Sequence, residues 1–430
     1  MKRKLSTIEH ILDGNLVCAV RLEGSLGVGQ VRSALARVQR KHPALRALIR
    51  EERDGLYYEA DTAGEIPLRI VPRVSESDYR CECHVELTTP FEYDEPQLRA
   101  VWLPSEVESD LLLTTSHRIC DGMSMLTILR EVLLSLHTDK QLISYEPITV
   151  GDIIGDYQPP QPWKRKIVAG LLNGLLRLVP NLDLAPEKLE YYSEWKVDHE
   201  TSDAFKRRCK AEGVSVHAAL LLALDRALFA VFGEKLPTWI DSQIDPRRGR
   251  FAALKDDMLF LGGGSFKIRA GQAPEAGFWA GARAINQEMR KQIEQEIDNI
   301  PSRFHFFEML RPVMDGQVRL VMRILSASSR NRLSHFALSN LGNIALGDGD
   351  APFRVQDMHI YAHSFKTRAL GWFTYTFNKE MRFYCVSNEK CMSPGEVDTL
   401  KREFMLLLQR QALQPSGHDN RVCTSSINSN

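Results

Sequence analysis

The stretch Ser116-His117-Arg118-Ile119-Cys120-Asp121-Gly122 places an imidazole, a thiol and a carboxylate close together and closes on a glycine. Histidine titrates near neutrality, so an imidazole held at the end of a strand can take the proton of an attacking hydroxyl or amine. Asp121 follows His117 by only four residues, too close to act by default as an independent acid. It suits pairing with a cation, or capping of the helix that follows. Gly122 removes a side chain where a substrate needs close approach to the backbone. Cys120 is a conceivable nucleophile, but its position reads better as that of a small apolar packing group. The plain alternative is a core-edge histidine followed by a helix cap, and the motif alone leaves both readings open.

The elements around the motif can be read from periodicity. Asp110 to His117 is a continuous apolar, β-compatible run, so it reads as a buried strand. From Gly122 onward, Met125, Leu126, Leu129, Val132, Leu133 and Leu136 return to helical spacing. Upstream, Leu16–Leu22 reads as a strand, and Val28, Val31, Leu35 and Val38 stripe a helix that His42-Pro43 ends. Further strands are expected over 45–49 and 55–59. Residues 157–163, Tyr-Gln-Pro-Pro-Gln-Pro-Trp, break regular structure. They open a crossover with one short apolar helix at Ile167–Leu178, flanked by Lys164, Arg165 and Lys166. That helix could touch a membrane surface, but is expected to pack on its own protein. Beyond it the pattern predicts helices over 202–212, 215–232, 275–296 and 394–411. Strands are predicted over 238–244, 336–338, 355–362, 371–378 and 381–386, with a tight loop at Gly262-Gly263-Gly264 before another. The resulting division is an N-terminal half over 1–155, a crossover over 156–195, a C-terminal half over 196–414 and a polar, disordered tail over 415–430.

Composition removes several function classes. The 430 residues are 43% hydrophobic and 26% charged, which excludes disorder for most of the chain. Fifty-five basic against 55 acidic residues give a net charge of zero, which points away from nucleic acid and from anionic membranes as global partners. Eight irregularly spaced cysteines read as reduced thiols of a cytoplasmic protein. Met1-Lys2-Arg3-Lys4 begins like a secretory leader, but Glu9, His10 and Asp13 interrupt any apolar core of one, and no uncharged apolar run reaches 18 residues. Cys81, Cys83 and His84 lack a second ligand cluster, so no metal is expected. His217 and His335 read as packing or capping residues. The glycine run at 262–264 lacks the context of a dinucleotide or phosphate loop. Arg247-Arg248-Gly249-Arg250 is a local basic run that suits a phosphopantetheine phosphate, an acidic carrier protein or plain solvent.

Several blocks together resemble the superfamily of condensation domains and chloramphenicol-acetyltransferase-like acyltransferases. In order they are Leu5-Ser6-Thr7-Ile8-Glu9, Arg40-Lys41-His42-Pro43-Ala44-Leu45-Arg46, Thr89-Pro90-Phe91 with Pro96-Gln97-Leu98-Arg99-Ala100, and His117 with Asp121 and Gly122. Val214–Leu221, Asp245-Pro246-Arg247 and Ser339-Asn340-Leu341-Gly342 follow. The resemblance spans about 400 residues and implies an α/β fold of two sandwich halves set in a V with a tunnel between them. It implies an acyl thioester on a phosphopantetheine arm, from acyl-CoA or a carrier protein acting in trans, and a hydroxyl acceptor, in natural-product or lipid biosynthesis. His117 would be the general base, Asp121 a structural partner of Arg247, and Ser339 and Asn340 tunnel-lining residues. No cofactor beyond the thioester co-substrate is implied, and free-standing members are expected to be monomers. Ser116 stands where peptide-condensing members carry a second histidine, which favours ester over amide formation, and the Asp-Phe-Gly-Trp-Gly motif of plant members is absent. An amide-forming enzyme and a non-catalytic module that docks a carrier or acyl thioester are the alternatives.

Overall fold

A computed structural model of the chain describes residues 2–413 except 53–54, 187–190, 234–238, 246, 248–250, 252, 263, 272–276, 312, 329–335, 347–349, 366–369 and 388–391. Pro246, Arg248, Gly249, Arg250, Gly263, His335, Cys391, Cys423 and the tail after Pro415 lie outside the described residues. The N-terminal part runs β1 (Lys2–Lys4), α1 (Thr7–Ile11), β2 (Gly14–Glu23), α2 (Val28–Lys41), β3 (Leu48–Glu52), β4 (Gly55–Glu59), β5 (Leu68–Ile70), α3 (Asp78–Thr88), β6 (Leu98–Leu103), β7 (Glu108–Ser116) and α4 (Gly122–His137). Two helices follow, α5 (Val150–Ile154) and α6 (Pro162–Leu178). The rest runs β8 (Tyr191–Val197), α7 (His199–Ala211), α8 (Val216–Phe232), β9 (Trp239–Ile244), β10 (Gly264–Arg269), α9 (Phe278–Phe307) and α10 (Asp315–Ser328). It closes with β11 (Phe336–Asn343), β12 (Arg354–Ser364), β13 (Leu370–Phe377), β14 (Glu380–Ser387) and α11 (Pro394–Leu413).

Two mixed sheets carry the fold. The first has the order β12-β2-β7-β6-β5 and the second β10-β9-β11-β13-β14-β8, with a small β1-β4-β3 sheet beside them. β12 comes late in the chain yet pairs antiparallel with β2 at the edge of the first sheet. Both faces of that sheet are covered, which is why β7 reads as an unbroken apolar run. Leu111 and Leu113 face a core shared with Val31, Leu35 and Val38 of α2 and with Met125, Leu129 and Val132 of α4. Leu112, Val17 and Ala19 face the other side, where Tyr79, Cys83 and Leu87 of α3 cover them. The second sheet packs against α7, α8, α9 and α11 through a separate core.

Several expectations change. Arg80 to His84, where no metal was expected, lie on α3 (Asp78–Thr88), a helix the sequence pattern did not announce, which buries Tyr79, Cys83, Glu86 and Leu87. Cys83 is buried and Cys81 exposed, because residues two apart on a helix point to nearly opposite sides. α9 continues past the expected end at Glu296 through Pro301 to Phe307. The largest correction concerns α6. It starts earlier than expected, with Pro162 in its first turn, and it does not bury its apolar face on the protein: Trp163, Ile167, Leu171, Leu175 and Leu178 are all exposed. Among the described residues no single helix is long and apolar enough to cross a membrane.

Candidate active site

β7 delivers His117 to the C-terminal edge of the first sheet. The His117 N–H donates to the Gly14 carbonyl at 2.8 Å, which carries the ladder between β2 and β7 one residue past the strand. Gly14 is required there for space. A Cβ on it would lie 2.0 Å from the His363 carbonyl oxygen of β12, backbone that cannot swing away. The adjoining Arg118 turns inward, its side chain 4% exposed, with ion pairs to Asp13 at 3.1 Å and to Asp315 of α10 at 2.7 Å. The turn after β7 is thereby tied to the residue before β2 and to the start of α10.

The imidazole of His117 is half-buried, and its Nδ1 lies 2.7 Å from the Cys120 carbonyl oxygen. A carbonyl oxygen can only accept, so Nδ1 holds the proton, and in the neutral ring Nε2 holds the lone pair. Cys120 contributes this backbone contact, while its side chain faces the core. The thiol is wholly buried, sits 3.0 Å from the Thr115 hydroxyl, and is pushed up to about 12 by burial, so it stays protonated.

Asp121 fills both roles open to it. Its Oδ1 accepts from the Ser124 N–H at 2.8 Å and caps α4. Both carboxylate oxygens also receive Arg247, Oδ2 from Nη1 at 2.9 Å and Oδ1 from Nη2 at 3.1 Å, a bidentate pair. The Arg247 side chain is 2% exposed and gives further bonds to Asp245 and to the Ser124 hydroxyl. Sequence reasoning missed the third component of this clamp, the backbone of Phe260. Its carbonyl accepts from the Asp121 N–H and the Ser124 hydroxyl, and its N–H donates to Ser124 Oγ. A serine three residues into a helix and one phenylalanine carry no sequence signal for such a role; the capping spacing from Asp121 to Ser124 is the nearest to one.

Gly122 leaves room for protein where sequence reading reserved it for substrate. A Cβ at Gly122 would stand 2.9 Å from Leu341 Cδ2, so β11 presses on the start of α4. The expected residues Ser339 and Asn340 lie on the same strand, paired in register with Phe373 and Thr374 of β13, and both are half-buried. Asn340 Oδ1 accepts from the Gly342 N–H at 2.8 Å, holding the bulge that follows. Leu341, rather than either polar neighbour, is the β11 residue brought against the motif.

Beside the motif lies a largely apolar, open-mouthed pocket, about 880 Å³ counted together with the open solvent at its mouth, walled by Tyr58, Ile119, Tyr145, Phe260, Leu261 and Phe304. His117 is not among its lining residues, although Ile119 and Phe260 join the pocket to the turn that holds it. His217 is remote from these contacts. Its Nε2 donates to the Ser242 hydroxyl at 2.7 Å, since that hydroxyl gives its own proton to the Leu338 carbonyl, and burial pulls its pKa down to about 4. Among the described residues no cluster of histidine, cysteine and carboxylate side chains is placed to hold a metal ion.

No family model matches the sequence, and no curated protein matches it by sequence. Solved structures do match in shape. Polyketide synthase associated protein 5 from Mycobacterium tuberculosis aligns over 95% of this chain and 98% of its own, with a TM-score of 0.67 at 12% identity. Trichothecene 15-O-acetyltransferase from Fusarium sporotrichioides covers 95% of both chains, with a TM-score of 0.68 at 11% identity. The first condensation domain of the calcium-dependent antibiotic synthetase covers 96% of this chain and 97% of its own, with a TM-score of 0.65 at 14% identity.

Proposed function

We propose, for a chain with the fold of condensation domains and chloramphenicol-acetyltransferase-like acyltransferases, that it transfers an acyl group from a phosphopantetheine thioester to a hydroxyl. The observation that carries this reading is the tautomer of His117. With Nδ1–H held on the Cys120 carbonyl, Nε2 is the free basic nitrogen. It accepts the acceptor's hydroxyl proton as the oxygen adds to the thioester carbonyl. The tetrahedral oxyanion then collapses, the C–S bond breaks, and the imidazolium returns the proton to the departing sulfur. No covalent enzyme intermediate is needed, because the thioester is already activated and the protein supplies proximity and orientation. Asp121 and Arg247 are positioning residues: their pair fixes the first turn of α4 and, through it, the Cys120 carbonyl. We assign Ser339 and Asn340 to the substrate passage, where developing negative charge calls for a donor. The deeply buried Cys120 thiol weighs against a cysteine nucleophile.

The test measures thiol release from acyl-CoA and from acyl-loaded carrier protein, with alcohol and amine acceptors and products identified by mass. Acceptor-dependent ester formation that falls at least about a hundredfold in His117→Ala supports the assignment. Equal rates in both proteins refute it. An amide product would move the reading to a condensation enzyme, and thioester binding without turnover to a docking module.

A further inference from the structure

α6 is an amphipathic helix turned inside out. The side it lays on the protein is polar: Arg165 donates to the Ser302 carbonyl at 2.8 Å, and Asn173 bonds the backbone of Met309 and of Arg311 at 3.0 and 2.6 Å. Gln317 of α10 donates to the Leu176 and Val179 carbonyls and holds its last turn. Only Ala169 of the helix is buried. Facing away, Trp163, Ile167, Leu171, Leu175 and Leu178 follow one another at helical spacing and are 55–79% exposed. Val168 and Leu172 widen this ridge to about half the circumference. Scattered exposed apolar residues need no explanation, but a contiguous ridge about 25 Å long does.

Charge identifies what covers it. From Tyr157 to Leu182 the chain holds four basic and no acidic residues, in a protein whose total charge is zero. Lys164, Lys166 and Arg177 are exposed, and Lys164 Nζ lies 5.3 Å from the centre of the Trp163 ring. A tryptophan and lysines at one end, aliphatic side chains along the ridge and arginine at the other end are the features of a helix lying in a bilayer surface. The ridge is convex, a shape that acyl chains can enclose. The tail at 414–430 has only Val422 and Ile427 as branched aliphatic residues, too few to cover it. We propose that α6 is an in-plane anchor that seats the protein on an anionic lipid surface.

The full-length protein is sedimented with vesicles of phosphatidylcholine and phosphatidylglycerol at seven to three, and with phosphatidylcholine alone. Binding is expected on the mixed vesicles, weaker by on the order of tenfold on the neutral ones and in 0.5 M salt. L171E/L175E should lower partitioning on the order of a hundredfold, and L171A/L175A by an intermediate factor, with the urea unfolding midpoint unchanged because both side chains are already in water. Wild type left in the supernatant with the mixed vesicles overturns the proposal, as does equal binding by wild type and L171E/L175E. A dimer, or a complex with a phosphopantetheinyl carrier, that L171E/L175E dissolves without any vesicle binding would give the ridge to that partner instead.

Discussion

Removing Asp121 should destabilise the protein far more than its half-exposed neighbours suggest, and by a different amount from removing Arg247. The carboxylate is 22% exposed and the guanidinium 2%. Deleting the acid leaves a buried cation with Asp245 at 3.1 Å and hydroxyl and carbonyl acceptors as its remaining partners. Breaking a buried pair from one side costs about 3–5 kcal/mol, and the surviving Asp245 places Asp121→Asn near the lower end, at about 3 kcal/mol. Asp121→Ala also deletes the cap of α4, which adds about 1 kcal/mol. Arg247→Met leaves the better solvated partner, still capping α4, and should cost about 2 kcal/mol. The double variant D121N/R247M buries no unpaired charge, so its cost should fall short of the sum by about 1–3 kcal/mol. Urea unfolding followed by tryptophan fluorescence and by circular dichroism reads all four proteins. Strict additivity, or a cost below about 1 kcal/mol for D121A, would refute the clamp as a coupled unit.

Three further outcomes follow from single sites. His359 lies 3.1 Å from Glu194 and 3.2 Å from Asp357; burial pulls its pKa down, the two carboxylates outweigh this, and the net shift is upward. Its stabilisation is therefore complete below the unfolded value of about 6.5 and lost as pH rises through the raised folded value, so His359→Gln should flatten the slope of unfolding midpoint against pH above about 6.5, and an unchanged slope would count against it. Gly14→Ala should cost at least about 2 kcal/mol, because its Cβ meets backbone at 2.0 Å; a midpoint within error of wild type would mean β12 does not press on β2 as described. Cys120→Ala should keep acyl transfer at the wild-type rate and lose about 1 kcal/mol of stability, since the backbone carbonyl and not the thiol meets His117; loss of turnover with folding intact would reinstate the nucleophile.

Much of the first sheet was legible because its strands are buried on both faces and its helices striped on one. Leu111, Leu112 and Leu113 announce a strand, and Met125, Leu129 and Val132 a helix, whatever lies around them. The Asp121–Arg247 pair came from resemblance, since nothing local links residues 126 apart. The backbone clamp at Phe260 could not be read, because a carbonyl belongs to every residue. For α6 the helix was right, and the expectation that its apolar residues pack on the protein was wrong. A stripe shows that a helix has two unlike faces, and it does not say which face meets the protein. At Cys81 and Cys83 the sequence could not show the helix that carries them, and on a helix a spacing of two separates side chains as surely as it unites them on a strand.

The place of β12 bears on how the chain is made. β2, an apolar strand of ten residues, stays an unpaired edge until residues 354–364 arrive to cover it. Between residue 116, where β7 ends, and residue 364 the ribosome must add 248 residues, about 12–50 s of synthesis at roughly 5–20 residues per second. For that interval the nascent chain presents an edge able to pair with its neighbours on the same message. Chaperone contact in this window, and slow codons after 116, are expected to set the yield of folded protein more strongly than the stability of the finished molecule does. A chain released early, anywhere from 116 to 354, would keep the edge open for good.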